Sequence, residues 1–171
     1  MTRKTSPTVL VVMGVSGSGK TTVGRPLAER LGWRFVEGDE LHPPANVAKM
    51  RSGEPLTDDD RWPWLGRVAE EIDEDIRSGR SAVVTCSALK RAYRDVLSAD
   101  RPEVAFVHLH ATREELADRV SHRTHEYMPA SLLDSQLAAL EPLGTDERGV
   151  VVDATKPADT LVDDLAARFA A

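Results

Sequence analysis

The chain has 171 residues, 41% of them apolar, and its 22 basic residues against 28 acidic ones leave a net charge of −6. That length suits a single domain over residues 1–171 with one substantial core, and the acidic balance argues against a nucleic-acid partner, which would need a basic face. One cysteine, Cys86, excludes an internal disulfide and fits a reducing compartment, and no apolar stretch approaches the roughly 20 residues that span a bilayer.

Arg3 and Lys4 precede an apolar run that ends at Gly14 in polar residues rather than at a signal cleavage site, so a cytoplasmic protein without membrane contact is expected. The run itself, residues 8–13, reads as a buried strand. Gly14-Val15-Ser16-Gly17-Ser18-Gly19-Lys20-Thr21 follows, with two glycines four intervening residues apart, then Lys and Thr. Chance would produce such a match in on the order of one sequence in a hundred of this length. Here it also stands between a strand and an amphipathic helix over 21–31 that stops at Gly32, which is the setting a phosphate loop requires.

Further along, residues 33–37 form a weaker strand candidate, and 38–56 lack clean periodicity. A helix over 61–77 begins near Thr57 and stops at Gly79; Trp62, Trp64 and Leu65 read as its packing residues. Strands are expected at 81–86, with Cys86 as a small buried residue at its end, and at 104–110. Thr112 and Glu115 match a capping box for a helix running to Arg119 or Val120. Residues 121–128 are again irregular, Pro129 suits the first turn of a helix through Leu140, a strand covers 149–153, and Pro157 opens the last helix. Short apolar runs alternating with helices predict an α/β fold with a parallel sheet covered on both faces.

Chemistry follows from that layout. In the 14–21 loop, glycines let successive amides turn toward one anion, and the helix N-terminus adds its positive end. Lys20 would reach the β- and γ-phosphates of a nucleoside triphosphate and the Thr21 hydroxyl would ligate Mg²⁺; the alternative is a glycine-rich turn with a solvated lysine. Ligands of open parallel sheets sit beyond the carboxyl ends of the strands, where Asp39, His42, Ser87, Lys90 and the loop after Asp153 fall. Asp39 is the candidate base for an acceptor hydroxyl, with a turn or capping role as the alternative. Arg51, Arg61, Arg119 and Arg123 could grip phosphate or carboxylate, Arg119 and Arg123 from a mobile lid at about 119–130. His42, His122 and His125 share no metal-ligand spacing with the cysteine.

Several segments, in order and spread over most of the chain, resemble the gluconokinase family: residues 13–21, Gly38-Asp39-Glu40-Leu41-His42-Pro43, residues 46–56, Asp58-Asp59-Asp60-Arg61 with Pro63-Trp64-Leu65, Cys86-Ser87-Ala88-Leu89-Lys90 with Tyr93-Arg94-Asp95, and residues 131–141. The phosphate loop is shared with many families; residues 49–61 are far more specific. The resemblance implies the P-loop NTPase fold of nucleoside monophosphate and shikimate kinases, with a five-stranded parallel sheet flanked by helices, an acceptor-binding region at about 38–65 and a small lid. It implies ATP with Mg²⁺, D-gluconate phosphorylated at its 6-hydroxyl, and a homodimer. On the same ground Asp39 would face the acceptor hydroxyl, His42, Arg51, Arg61 and Lys90 would bind gluconate, and Arg119 and Arg123 would serve the ATP phosphates. Many members carry Gly-His-Phe before Met-Pro, whereas here His125-Glu126-Tyr127 precedes Met128-Pro129, so no role passes to His125. A kinase of another small acceptor, or a regulatory NTP-binding protein, are the competing readings.

Overall fold

The computed structural model describes residues 6–121 and 130–170. Five strands, β1 (Val9–Met13), β2 (Arg34–Glu37), β3 (Ala82–Thr85), β4 (Val104–His110) and β5 (Gly149–Asp153), form one sheet in the order β2-β3-β1-β4-β5, and every pairing is parallel. β1 is central and buried at all five positions, which is why it reads as an unbroken apolar run rather than an alternating one. Its side chains divide by parity. Leu10 and Val12 face a core made with Val23 and Leu27 of α1 (Lys20–Leu31) and with Leu161 and Leu165 of α7 (Ala158–Phe169). Val9, Val11 and Met13 face a second core with Trp64, Leu65, Val68 and Ile72 of α3 (Asp58–Arg77) and with Tyr93 and Leu97 of α4 (Arg91–Ser98).

The local signals hold at most element ends. Gly32 closes α1 in the left-handed conformation, with φ of 70°. Thr57 caps α3 in a full capping box whose third residue is Asp60, and Thr112 and Glu115 form the expected reciprocal pair at the start of α5 (Arg113–Ser121). The remaining helices are α2 (Pro44–Arg51) and α6 (Ala130–Ala139). Pro129, expected in the first turn of α6, lies outside the described residues.

Three expectations need correcting. Residues 38–56, read as aperiodic, contain a 3-10 turn at Gly38–Leu41 and the helix α2. α2 escapes a periodicity search because its single buried residue is the polar Asn46. α4 was not expected either: it is eight residues long, too short for a sustained pattern, and one of its three buried side chains is Arg94, held by Glu147 at 3.0 Å and by backbone carbonyls. Trp62 is not a packing residue of the core, because it is exposed with its ring edge against Tyr93 at 5.4 Å. Among the described residues no helix is long and apolar enough to cross a membrane.

Candidate active site

All five strands run parallel, so their carboxyl ends lie together, and strand order reverses around β1 and β3. The 14–21 loop leaves β1 at that point and is tied to the segment after β3, where the Gly14 amide donates to the Ser87 carbonyl at 3.3 Å. Gly17 and Gly19 have φ of 84° and 98°, which side-chain-bearing residues avoid, and Gly19 caps α1 without any side-chain partner for the helix amides. Lys20 is half-buried and its ammonium donates to the carbonyls of Gly14 and Val15 at 3.0 and 3.1 Å. The ammonium therefore lies over the loop's own mouth. Ser18 Oγ is fully buried with no hydrogen-bond partner, the sole such side-chain atom among the described residues.

Two groups brace the loop from outside. Gln136 of α6 accepts from the Ser16 amide at 2.7 Å and donates to the Ser16 hydroxyl at 3.2 Å. Arg119 of α5 donates to the carbonyls of Gly17 and Ser18 at 3.3 and 3.2 Å and also to that of Ala154, so it joins the loop to the segment after β5. Arg123, together with His122 and His125, lies outside the described residues.

Glu37, the last residue of β2, did not stand out in the sequence. One of its carboxylate oxygens accepts from Thr21 Oγ1 at 2.7 Å and the other from Thr85 Oγ1 at 2.6 Å. Thr85 Oγ1 in turn accepts from the Gly38 amide at 3.2 Å, and a Cβ on Gly38 would fall 1.9 Å from the Thr85 carbonyl oxygen. Only glycine permits this approach, which brings Glu37 to the first helical turn of the phosphate loop. The available signal was a strand candidate running into Glu-Gly-Asp, two carboxylates separated by one glycine.

Asp39, in the 3-10 turn, is exposed, and His42 closes that turn as a buried residue. The His42 ring stacks on Trp64 with centroids 4.0 Å apart, while Trp64 Nε1 donates to the Gly38 carbonyl at 2.8 Å. Burial pushes the His42 ring down to about 4, opposed by Asp39 and assisted by Arg61. Cys86 is wholly buried just past β3; burial pushes its thiol up to about 12, and both Asp39 and Lys20 act on it, in opposite directions. The loop bearing Lys20 leaves β1 and Asp39 follows β2, the two parallel neighbours of β3.

Arg61 donates to Tyr93 Oη at 3.0 Å, and Tyr93 donates to Asp58, which also pairs with Lys90 at 3.0 Å. The hydrogen bonds from Tyr93 and then Lys90 hold the Asp58 carboxyl below its ordinary value. This cluster links Arg61 and Lys90, expected from the resemblance to bind the acceptor, through Asp58 and Tyr93, to which the sequence assigned no role. Arg51 ends α2 exposed, and its side chain makes no hydrogen bond or ion pair among the described residues.

Comparison with known proteins agrees with this fold. A family model described as an AAA domain matches residues 9–143. A gluconokinase of Gluconobacter oxydans is 53% identical over 165 residues, covering 96% of this chain and 93% of its own. Among solved structures, a gluconokinase from Sinorhizobium meliloti is 49% identical with a TM-score of 0.85, covering 96% of this chain and 94% of its own. A sugar kinase from Janibacter is likewise 49% identical with a TM-score of 0.89, covering 94% and 93%. A chain with this sheet, this phosphate loop and relatives of such identity over nearly its whole length belongs to the gluconokinase family.

Proposed function

We propose that the chain transfers the γ-phosphoryl group of ATP to the 6-hydroxyl of D-gluconate, giving 6-phosphogluconate and ADP. The reading is supported above all by the sheet order: the phosphate loop follows β1 and Asp39 follows β2, and these are the two parallel neighbours of β3, so a phosphate cradle and a candidate carboxylate base leave the same edge of the sheet. The loop amides and Lys20 hold the phosphates, with Arg119 and Arg123 as further cations from the lid side. Asp39 accepts the proton of the attacking hydroxyl as the bond to phosphorus forms. His42, Arg51, Arg61 and Lys90 bind the carboxylate and hydroxyls of gluconate.

Thr21 and Glu37 suit Mg²⁺, because a hydroxyl and a carboxylate 2.7 Å apart supply hard oxygen donors at the loop's first helical turn. Bound there with the phosphates, Mg²⁺ would neutralise charge that develops on the transferring group. A cytoplasmic homodimer, supported by the family resemblance, is the assembly we infer, and sedimentation velocity reads it directly. The activity is tested by ADP release against D-gluconate, shikimate and nucleoside monophosphates. Gluconate should be the best acceptor by at least about a hundredfold, well within what a site that hydrogen-bonds its substrate attains; a better rate on any other would overturn the assignment.

A further inference from the structure

His42 Nδ1 lies 3.2 Å from Asn46 Nδ2, and the same Nδ2 donates to the Asp60 carbonyl at 2.9 Å. The second contact decides the first. A carbonyl oxygen only accepts, so the Asn46 atom facing Asp60 is the NH₂ group, and its other hydrogen points at His42. Exchanging the two ends of the Asn46 amide would set two oxygens against each other at 2.9 Å. Nδ1 is therefore the bare, accepting nitrogen, and the proton of the neutral ring sits on Nε2.

Nε2 has no hydrogen-bond partner among the described residues. Since Ser18 Oγ is the sole fully buried side-chain atom there in that condition, Nε2 opens to solvent even though the residue as a whole is only 9% exposed. Trp64 covers the ring, and the charged groups that act on it are Asp39 of the 3-10 turn and Arg61 of α3. Asn46 is itself 3% exposed and bridges α2 to the first turn of α3, where Asp60 is fixed by Thr57 and by Lys49 at 2.8 Å. Nothing about this amide is free to turn.

We infer that Asn46 is a positioning residue that holds His42 as the neutral Nε2–H tautomer, so that Nε2 presents a hydrogen-bond donor of fixed direction to a hydroxyl of the acceptor. This deepens the proposed function and rests on it for the acceptor's identity. The chemical consequence is directional. A hydroxyl that accepts from Nε2–H must aim its own hydrogen elsewhere, and the exposed Asp39 carboxylate, an acceptor only, stands on the same turn. With the other tautomer, a bare Nε2 would compete with Asp39 for that hydrogen. Because burial and Arg61 outweigh Asp39 and leave the ring's value at about 4, the donor is constant across neutral pH.

Long-range ¹H–¹⁵N spectra of ¹⁵N-histidine-labelled protein test this directly, with the His42 signals assigned by their loss in His42→Gln. Between pH 6 and 8 the expected pattern is a protonated Nε2 and a bare Nδ1 that do not titrate, and gluconate should shift the Nε2 signal. A proton on Nδ1, or a ring that titrates in this range, overturns the tautomer assignment. An Nε2 signal indifferent to saturating gluconate overturns the donor role. Asn46→Asp replaces the donor with an acceptor and should move the proton to Nδ1. KM for gluconate should then rise about tenfold, the scale of one lost hydrogen bond, and should become pH-dependent, while KM for ATP is unchanged. A switched tautomer with an unchanged gluconate KM also overturns the donor role. Should Asn46→Asp fail to fold, the wild-type spectra decide both points. Absence of gluconate phosphorylation with the stated tautomer intact would sink the proposed acceptor and leave the role of Asn46 standing.

Discussion

Thr21 and Glu37 meet across the carboxyl end of the sheet, the threonine hydroxyl donating to the glutamate carboxylate at 2.7 Å. Because Thr85 holds the other oxygen, the carboxylate has one orientation, aimed at the residue that follows Lys20. A carboxylate fixed in this way is costly to orient for packing alone, and it lies where a cation bound to phosphates would need an oxygen ligand or a partner for a bound water.

Glu37→Gln preserves shape and removes the charge. The Mg²⁺ concentration required for half-maximal turnover should rise by about 10- to 100-fold, as for other residues that ligate or orient a metal site. A Mg²⁺ titration at saturating ATP and gluconate reads this, and an unchanged requirement would remove Glu37 from the metal's surroundings.

Lys20→Ala and Asp39→Asn should each lower kcat by at least about a hundredfold, through loss of phosphate charge stabilisation in one case and of the base in the other. Steady-state ADP release measures both. A near-normal rate for Asp39→Asn would reduce that residue to positioning.

Gln136→Glu keeps the acceptor for the Ser16 amide but sets a negative charge against the phosphate loop and removes the donor to the Ser16 hydroxyl. Repulsion of the nucleotide across a partly exposed site should raise KM for ATP about tenfold, and the effect should shrink as salt is added. Equal KM values for the two proteins at low salt would show that this corner of the loop does not face phosphate.

Stability should depend on pH between about 6.5 and 4. His108 is buried, and burial, then His110 and Arg94, push its ring down from 6.5 to about 4; His42 is likewise at about 4 through burial. As pH falls through this window the unfolded chain binds protons that the folded chain refuses. The stability these rings contribute is therefore complete above about 6.5 and lost progressively toward 4. Thermal melts at stepped pH should show the decline, and His108→Asn should make it shallower; a parallel decline in the variant would remove His108 as a cause.

Much of the fold was legible because its signals are local. The buried run 9–13, the glycines and lysine of the loop, the helix start near Thr57, the capping pair Thr112 with Glu115, and the closing Gly32 each depend on neighbours within a few residues. α2 and α4 were not legible, since the face of each that is buried includes a polar group, Asn46 or Arg94, whose partners lie 14 and 53 residues away. Trp62 shows the converse: its size predicts burial, yet only the packing of α3 against α4 decides that Trp64 turns inward and Trp62 outward.

By itself the sequence determined that this chain builds a parallel α/β sheet around a phosphate loop, because strand, loop and helix are adjacent in the chain and their chemistry follows from residue type and spacing. The site required long-range contacts. Glu37 meets Thr21 because the sheet brings the ends of β1 and β2 together, Gln136 braces Ser16 from 120 residues away, and the amide of Asn46 that faces its near neighbour His42 is oriented by Asp60 of another helix. Hydrogen-bond direction has no signature in spacing. It is decided when tertiary packing removes water and leaves each polar atom only the partners the fold supplies.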